Sequence, residues 1–482
     1  MKKLKVLLQE PFVPREVTYG KFAKGAGSNT FSYGLACLAS YIKDRGYGVS
    51  FLDPNLTGIS ETEYLEFLDH NRFDVIGIGS TTLQIDYALK CFRAIKSRTP
   101  GAITVLGGVH ASIMPKETIM STVDVDYMIL GEGEKPFSSL LDNLEKGDIA
   151  AIKNIPGICY RSGSDVVYNI PAENGFLTPE ELPTPLFDIF SMREYVPQIT
   201  FAKAFPSYTV LASRGCPFHC AFCNASATLG KKVRLRPVGS LLEEIRILKE
   251  KHGAKGIMFM DSTFTINKPW LEQFCRSYIN SGLNLPWAAN SRADTIDKSL
   301  LKLMREAGCW NITFGIESAN QKSLDLIHKG TTVGQNTSAI QMALEAGLNV
   351  YTSYIICLPN ETESDVNNTI RYARRMGNHM AMFYLPVPFP KTRLYNICKE
   401  AGGLREDAVW SDYNAWDYSN PVYINPFLGK INMLRLYKKA YISFYSNPMV
   451  WYRNVKDIVL LKQNPYRYWL GLKSLLYFIF HK

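Results

Sequence analysis

Three cysteines stand close together in the segment Ser213–Cys223, which reads SRGCPFHCAFC. Cys216, Cys220 and Cys223 follow the spacing C-x-x-x-C-x-x-C. A structural zinc site normally has four protein ligands, and an iron–sulfur cluster that only transfers electrons commonly has four cysteines. Three thiolates leave one metal position open, so the spacing predicts a cluster with one iron free to bind a substrate or a cofactor.

A zinc knuckle completed by His219 is the alternative. His219 lies between Cys216 and Cys220, where it is poorly placed to join both neighbours on one ion, and no further pair of cysteines follows nearby. The ligand spacing therefore favours the cluster over zinc.

The residues around the trio carry a family resemblance. With Arg214-Gly215-Cys216-Pro217 as its lead-in and the aromatic Phe222 before the third cysteine, the segment resembles the cluster loop of radical S-adenosylmethionine enzymes. The resemblance implies a 4Fe-4S cluster whose open iron binds S-adenosylmethionine. It also implies cleavage of S-adenosylmethionine to a 5′-deoxyadenosyl radical, with a reductase such as flavodoxin or ferredoxin as electron donor.

Composition sets the broad class of the protein. Of 482 residues, 46% are hydrophobic and 20% charged, which is enough for two or three cores of ordinary domain size. Ten cysteines in a chain of this length do not form a disulfide framework, and Met1–Leu8 reads as a lysine-flanked strand. We therefore expect a cytoplasmic protein in a reducing environment.

The net charge of +10 raises the question of a nucleic-acid partner. Much of the charge is local, in the run Gly230–Arg236 and in the tail from Ile431 onward. We interpret both runs as solvated faces, and nucleic acid is not an expected partner.

Residues 1–145 read as alternating strands and helices, with short apolar strands at Lys5–Gln9, Val49–Asp53, Asp74–Gly79, Ile103–Leu106 and Tyr127–Leu130. This pattern predicts a doubly wound parallel sheet with helices on both faces. Such a sheet binds ligands at the carboxyl ends of its strands.

Glycines, hydroxyls and carboxylates follow three of these strands. Glycine lets a backbone approach a large ligand, and hydroxyls and amides hold polar edges. Together with Tyr33–Ala39 and Asp44–Tyr47, these strand ends resemble the cobalamin-binding, Rossmann-like domain that precedes the barrel in one large branch of radical S-adenosylmethionine enzymes. The resemblance implies a cobalamin site lined by Ser80, Thr81, Thr82, Gly107, Gly108, His110, Gly131, Glu132, Gly133 and Glu134.

The Asp-x-His-x-x-Gly motif that supplies a cobalt ligand in other cobalamin proteins is absent, because Asp69-His70 has the wrong order and His110 lacks the aspartate two residues earlier. We expect His110 to line the pocket or close a turn, and we assign no lower ligand to the cobalt. A domain that has lost cobalamin and only packs is the alternative.

Residues 146–205 contain several prolines and little periodicity, so they are predicted to be a connector. The alternation returns over 206–392. Six strand–helix units there predict a partial (β/α)6 barrel, the fold that the family resemblance also implies. The last part, 393–482, is expected to be a mostly helical extension.

Polar residues follow the predicted barrel strands on the same mouth as the cysteine loop. Asp261 resembles the family's strand-two motif, although the family often has a second acid where Ser262 stands. We expect Arg292 to pair with the methionyl carboxylate through a bidentate contact and Glu317 to accept from a ribose hydroxyl or the amino group. A surface salt bridge is the alternative for each of these residues. Relatives commonly have glycine at Cys357, which we interpret as a buried, inert thiol.

The tail Tyr466–Lys482 combines an apolar run with Lys, Arg, Trp and Tyr. The run is shorter than the ~20 apolar residues that span a bilayer. It fits either a helix that caps the barrel or a peripheral contact at the inner face of a membrane, and the second would point to a lipid-like substrate.

The resemblance implies a cobalamin-dependent enzyme that transfers a methyl group to an unactivated carbon of a small-molecule or lipid-like substrate. A radical cyclase or rearrangement enzyme acting on a porphyrin-like or lipid-like substrate is the first alternative. A tRNA-modifying methylthiotransferase or a nucleic-acid-binding protein is the second. It is disfavoured because such enzymes carry another cysteine trio, which Cys37 and Cys91 alone do not supply.

Overall fold

The structure is a computed structural model, and it describes residues 3–14, 17–18, 29–171, 175–196 and 201–460. Two large sheets organise these residues. In chain order the strands are β1 Lys5–Gln9, β2 Gly48–Leu52, β3 Val75–Gly79, β4 Ile103–Gly107, β5 Tyr127–Ile129, β6 Ile158–Ser162, β7 Asp165–Tyr168, β8 Ser207–Val210, β9 Ser213–Arg214, β10 Arg234–Leu235, β11 Gly256–Phe259, β12 Trp287–Ser291, β13 Cys309–Glu317, β14 Asn349–Ile355 and β15 Met380–Tyr384. Of these, β9 and β10 form a separate two-stranded ribbon.

Helices connect the strands. They are Tyr33–Lys43, Pro54–Thr57, Glu61–His70, Ile85–Arg98, Val109–Ile113, Pro115–Met120, Glu134–Lys146, Ile149–Ile152, Ala225–Leu229, Val238–Glu250, Lys268–Ser281, Lys298–Glu306, Gln321–Leu326, Val333–Glu345, Glu363–Met376, Arg393–Glu400, Gly429–Tyr445 and Pro448–Leu460. Among these described helices, none is long and apolar enough to cross a bilayer.

The first sheet has the strand order β2-β1-β3-β4-β5-β6-β7. Strands β1 to β5 pair in parallel, as the sequence predicts, and helices between them cover both faces. Because these strands are parallel, the residues that follow β3, β4 and β5 meet at one edge. This confirms the predicted arrangement of the N-terminal strand ends.

The predicted connector is partly wrong. Strands β6 and β7 form an antiparallel hairpin, and β6 pairs with β5, so the sheet extends through Tyr168. The side chains of β7 are only partly buried, as expected at an exposed edge of the sheet. This half-solvated hairpin lacks the apolar run of a central strand, which is why periodicity did not reveal it.

The second sheet has the order β15-β14-β13-β12-β11-β8, with every neighbouring pair parallel. Six strands with intervening helices form the predicted partial barrel. The helix Lys298–Glu306 illustrates why: Asp297 caps its first turn, and Leu300, Leu301 and Met304 lie buried on one face.

The N-terminal sheet has hydrophobic cores of its own, and its first helix also packs into the core of the barrel. Phe31, Tyr33 and Cys37, from the first helix and its approach, pack in the same buried cluster as Tyr208 and Leu241 of the barrel. The described part of the C-terminal extension includes two helices, Gly429–Tyr445 and Pro448–Leu460. The predicted interfacial tail lies outside the described residues.

Candidate active site at the barrel mouth

The cysteine loop follows β8 and is held at both ends. Strand β9 pairs antiparallel with β10, and the amide of Cys216 donates to the carbonyl of Gly230 at 3.0 Å. Gly215 has a φ of +96°, and a Cβ there would collide with the carbonyl oxygen of Lys232. Glycine is therefore required immediately before the first cysteine.

Further backbone bonds fix the middle of the loop. Ala221 donates to the carbonyl of Ile327 and accepts from the amide of Leu394, both at 2.8 Å. Cys216 is buried, Cys220 is half-buried and Cys223 is exposed, so the trio runs from the protein interior to the barrel mouth.

The thiols share an electrostatic environment. Burial raises the pKa of Cys220, and the nearby Lys329 and Arg292 act in the opposite direction. Cations beside the loop offset the negative charge of thiolate ligands. Within the described ranges, no three His, Cys, Asp or Glu side chains are gathered closely enough for a single metal ion.

Asp261 supports the start of this loop. It follows β11 and is almost fully buried, and its carboxylate accepts from the Ala212 amide at 3.1 Å and from Ser213 Oγ at 2.5 Å. Burial raises its pKa to about 6. These contacts favour a positioning role for Asp261, in place of the predicted contact with a cofactor.

Arg292 lies against the cysteine loop. Its guanidinium is 3.6 Å from the Phe218 ring centroid, and Nη1 lies 3.7 Å from Cys220 Sγ. Asp294 accepts from Nε and Nη2, at 3.0 and 2.8 Å. The geometry brings Arg292 to the cluster loop, as a ligand of an S-adenosylmethionine carboxylate would require.

Glu317 lies at the end of β13, where the pairing with β14 shifts register and Glu317 adopts a φ of +63°. Its Oε1 accepts from Lys329 Nζ at 2.7 Å, and both side chains are buried. Gly315 makes room for the pair, since a Cβ there would lie 2.5 Å from Glu317 Oε1 and 2.8 Å from Lys329 Nζ.

Lys329 is a residue of this site that the sequence analysis missed. Its Nζ is 6.0 Å from the ring centroid of Phe222, so it joins Glu317 to the aromatic residue of the cysteine motif. No spacing rule marks it, because it lies in a loop and meets its partners only in the folded barrel. The one sequence feature that could have pointed to Lys329 is its position between a short helix and Gly330.

Two further residues lie near the mouth. Tyr384 ends β15; its pKa is raised by burial and, more weakly, by neighbours that include Glu317. Its ring makes an edge contact with Trp416 at 5.4 Å. Cys357 is fully buried with a φ of +67°, which agrees with the prediction of a buried thiol.

The N-terminal strand ends form a second polar surface. The Ser80 amide donates to the Gly107 carbonyl, and the His110 amide donates to the Ser80 carbonyl. Gly131 donates to Ser112 Oγ at 2.9 Å. These bonds bring together the predicted groups Ser80–Thr82, Gly107–His110 and Gly131–Gly133.

Two glycines at this edge differ in their surroundings. Gly108 has a φ of +93°, and a Cβ there would lie 2.6 Å from the carbonyl oxygen of Ser80. A Cβ at Gly107 would meet nothing within 4 Å. One glycine packs the two strand ends together, and the other leaves open space at the edge, as a large ligand needs.

His110 is buried beneath this edge. Its Nδ1 lies 3.3 Å from Thr82 Oγ1, and its ring makes an edge contact with Trp410 at 5.0 Å. Burial lowers its pKa to about 4, so the ring is neutral at pH 7. This agrees with the predicted part of a turn or pocket residue.

Glu132 and Glu134 have contacts that the sequence analysis did not predict. Arg234 Nη1 donates to Glu132 at 2.8 Å, and Arg214 Nη2 donates to Glu134 at 2.7 Å. All four side chains are largely buried. The carboxylates therefore serve to join the two sheets, which disfavours their predicted contact with a cofactor.

The same contacts correct the interpretation of the run Gly230–Arg236. Lys231 and Lys232 are exposed, as a solvated face predicts, but Arg234 and Arg236 are buried. Arg236 bonds to Tyr33 and Glu244. Two of the four cations in this run thus hold the barrel against the N-terminal sheet.

Comparison with known proteins agrees with both halves of this site. The model of the radical SAM superfamily matches residues 210–373, and that of the B12 binding domain matches residues 23–141. An uncharacterized methyltransferase of Pyrococcus horikoshii is 32% identical over 458 residues, which cover 95% of each chain.

Two other similarities extend over most of the chain. An anaerobic magnesium-protoporphyrin IX monomethyl ester cyclase of Rubrivivax gelatinosus is 29% identical, over 86% of this chain and 73% of its own. The solved radical S-adenosylmethionine methyltransferase TsrM of Kitasatospora setae has a TM-score of 0.70 at 17% identity, over 92% of this chain and 89% of its own, so the fold is shared. The chain belongs to the radical S-adenosylmethionine enzymes that carry a B12-binding domain.

Proposed function

We propose that this protein is a cobalamin-dependent radical S-adenosylmethionine enzyme that transfers a methyl group to an unactivated carbon. One observation carries the proposal: Arg214, two residues before the first cluster cysteine, pairs with Glu134 at the glycine-rich edge of the N-terminal sheet. The helix Ala225–Leu229 after the cysteines also contacts the helix Val109–Ile113 of that edge. The two cofactor surfaces are thus neighbours.

The barrel mouth fits the first cofactor pair. Cys216, Cys220 and Cys223 would hold a 4Fe-4S cluster, because soft thiolates suit iron and three of them leave one iron open. Arg292 and Lys329 supply positive charge beside the trio, and Glu317 supplies an acceptor for S-adenosylmethionine. When bound, this pair supplies radical chemistry, while the barrel supplies position and excludes water.

The N-terminal edge fits cobalamin, a carrier for methyl groups. Gly107 leaves open space, Thr81 is exposed, and Ser80 and Thr82 have hydroxyls in the same turn. His110 is turned toward Thr82 and Trp410 within the protein. These contacts support a cobalamin site in which His110 packs beneath the turn and does not ligate cobalt.

Anaerobic reconstitution tests the cofactors. The purified chain is expected to bind one 4Fe-4S cluster and one cobalamin, measured by absorption and electron paramagnetic resonance. Cys216→Ala, Cys220→Ala and Cys223→Ala should each abolish 5′-deoxyadenosine formation, whereas Cys275→Ala, at a buried thiol of a barrel helix, should retain the cluster. Stoichiometric zinc without a cluster would contradict the proposal.

A radical cyclase is the second candidate, and the 29% identity to a porphyrin ester cyclase over most of this chain favours it. Methyl-labelled S-adenosylmethionine separates the two. Label in the product supports methyl transfer, and 5′-deoxyadenosine formed without label transfer supports cyclisation. The substrates to be tested are small-molecule or lipid-like compounds suggested by the enzymes that neighbouring genes encode. Flavodoxin or ferredoxin serves as the reductant.

In this proposal, each segment of the chain has a different role. Cobalamin binds to the sheet of residues 1–145, to which the hairpin of the following segment belongs, and the radical reaction occurs in 206–392. The described part of the extension, 393–460, contacts His110 of the N-terminal edge through Trp410 and Tyr384 of the barrel through Trp416.

A further inference from the structure

The end of the chain carries almost all of its net charge. From Gly429 to Lys482 the sequence has ten Lys and Arg residues and one acidic residue, Asp457, for a net +9 of the chain's +10. The 428 residues before it are nearly neutral. Such a concentration of positive charge indicates a negatively charged partner for this end of the molecule.

The last described helix, Pro448–Leu460, presents apolar side chains to solvent. Trp451, Tyr452, Val455 and Val459 are 41, 62, 50 and 67% exposed. With 3.6 residues per turn, these four positions fall within about 100° around the helix axis. Lys456 is exposed on the same side. The exposed face therefore combines aromatic, aliphatic and basic groups.

The opposite side of this helix is fixed to the barrel. Val450 is buried, and so is Asp457, whose Oδ2 lies 3.3 Å from His379 Nε2. Arg453 donates to the carbonyl of Gly377, and Asn454 donates to that of His379. The one acidic group of the region thus points inward, and the anchored helix keeps its apolar and basic face outward.

We propose that this face docks the enzyme peripherally on an anionic lipid bilayer. Aromatic residues with adjacent lysines suit the boundary between headgroups and acyl chains. Each basic residue near an anionic surface adds to the attraction. Nucleic acid explains the positive charge but not the outward valines, because phosphate contacts are polar. The proposal is independent of the reaction that the barrel catalyses.

Vesicle flotation of the full-length chain tests the proposal. Vesicles of phosphatidylcholine alone are compared with an equal mixture of phosphatidylcholine and phosphatidylglycerol. The protein should float with the mixed vesicles and dissociate as salt is raised. The double variant Val455→Asp/Val459→Asp should bind the mixed vesicles at least about tenfold more weakly than the parent protein, because it places two negative charges on the face.

The matched control is Val123→Asp/Ile170→Asp, which makes the same kind of change at two exposed aliphatic residues of the N-terminal sheet region. It should float like the parent protein. Circular dichroism and thermal unfolding of both double variants should match the parent, since all four side chains are exposed.

Four results would overturn the proposal. The parent protein could stay in the aqueous fraction with both vesicle types, or the face variant could float unchanged. Gel filtration could show a dimer that the face variant dissociates, which would assign the face to a second copy. A large loss of thermal stability in the face variant alone would show that the chain itself covers this helix.

A separate binding assay with transfer RNA addresses the remaining partner. Tight binding of RNA by the parent, unchanged in the face variant and accompanied by no flotation, would assign the positive charge to nucleic acid and reject the membrane.

Discussion

At the scale of single residues, the barrel mouth depends on charges that face each other in a poorly solvated space. Lys329 pairs with Glu317, and Arg292 is held by Asp294 beside Cys220. Buried ion pairs offer little net stability, but loss of one partner leaves an uncompensated charge. We therefore interpret these two pairs as interactions that hold the positive charges of Lys329 and Arg292 next to the cysteine trio.

Removal of the Lys329 charge should make the cluster harder to reduce. Lys329→Met takes a cation away from the thiolates, and a less positive surrounding stabilises the oxidised cluster. We expect the midpoint potential to fall by on the order of tens of millivolts. A redox titration followed by electron paramagnetic resonance measures it.

The control for this experiment is Lys322→Met, at a half-exposed lysine of the helix Gln321–Leu326 that pairs with Asp365. Its midpoint potential should equal that of the parent. An unchanged potential in Lys329→Met would show that Lys329 serves only to neutralise Glu317.

Because His110 is buried, we expect the free energy of unfolding to depend on pH. Burial lowers its pKa from 6.5 to about 4, so the unfolded chain binds the proton more tightly than the fold does. Its contribution is complete above pH 6.5 and is lost as the pH falls toward 4. Between pH 7 and pH 5 the free energy of unfolding should drop by about 2 kcal/mol through this group.

Urea unfolding at pH 7 and pH 5 measures that drop, and His110→Asn provides the reference because it cannot take up the proton. The parent should lose about 2 kcal/mol more than the variant over this range. Equal losses would mean that folding does not lower the pKa of His110.

At the scale of elements, the cysteine loop is a bridge between two sheets. Strand β9 begins it, β10 closes it, and the helix Glu134–Lys146 meets it through Glu134. The loop is thus braced from both sides of the molecule. Its geometry depends on the N-terminal sheet as well as on the barrel.

Glu134→Gln should destabilise the protein strongly. It leaves the buried Arg214 without its main partner, and breaking a buried pair costs about 3–5 kcal/mol. Glu345→Gln removes a carboxylate from an exposed pair with Lys298, and should cost less than about 1 kcal/mol. Urea unfolding compares the two, and equal costs would show that the pair at Arg214 is solvated.

At the scale of the whole molecule, a buried interface joins the N-terminal region to the barrel. Tyr33 bonds to Glu244 and Arg236 across the interface, and Phe31, Tyr33 and Cys37 lie in one buried cluster with residues of the barrel. We therefore expect the N-terminal sheet and the barrel to unfold together.

A core substitution in the first sheet tests this cooperativity. All seven tryptophans follow residue 269, but Trp410 contacts His110 of the N-terminal sheet. In a Trp410→Phe background, the fluorescence of the remaining tryptophans reports on the barrel and the C-terminal extension. Phe92→Ala, in the buried core of the N-terminal sheet, should cost about 3–5 kcal/mol and lower the fluorescence-monitored midpoint. The control Val123→Ala, at an exposed residue, should not. A midpoint unchanged in Phe92→Ala would indicate independent domains.

The cysteine trio, the parallel strands and the glycines at their ends could be predicted from the amino-acid sequence, because each depends on residues adjacent along the chain. Spacing along the chain specifies which ligands one loop can offer, and apolar periodicity specifies which segments become strands and helices. The half-buried hairpin of β6 and β7 escaped this reasoning because its periodicity is weak.

Which charged side chains pair with each other became visible only in the folded protein. Arg214 and Glu134 are 80 residues apart, and Arg234 and Glu132 are 102 apart. Lys329 reaches Glu317 from a separate loop. A charged side chain carries no mark of its partner in the sequence, since the pairing energy arises only when folding excludes water from both groups. For that reason the trio was predicted, whereas the ion pairs that brace it were not.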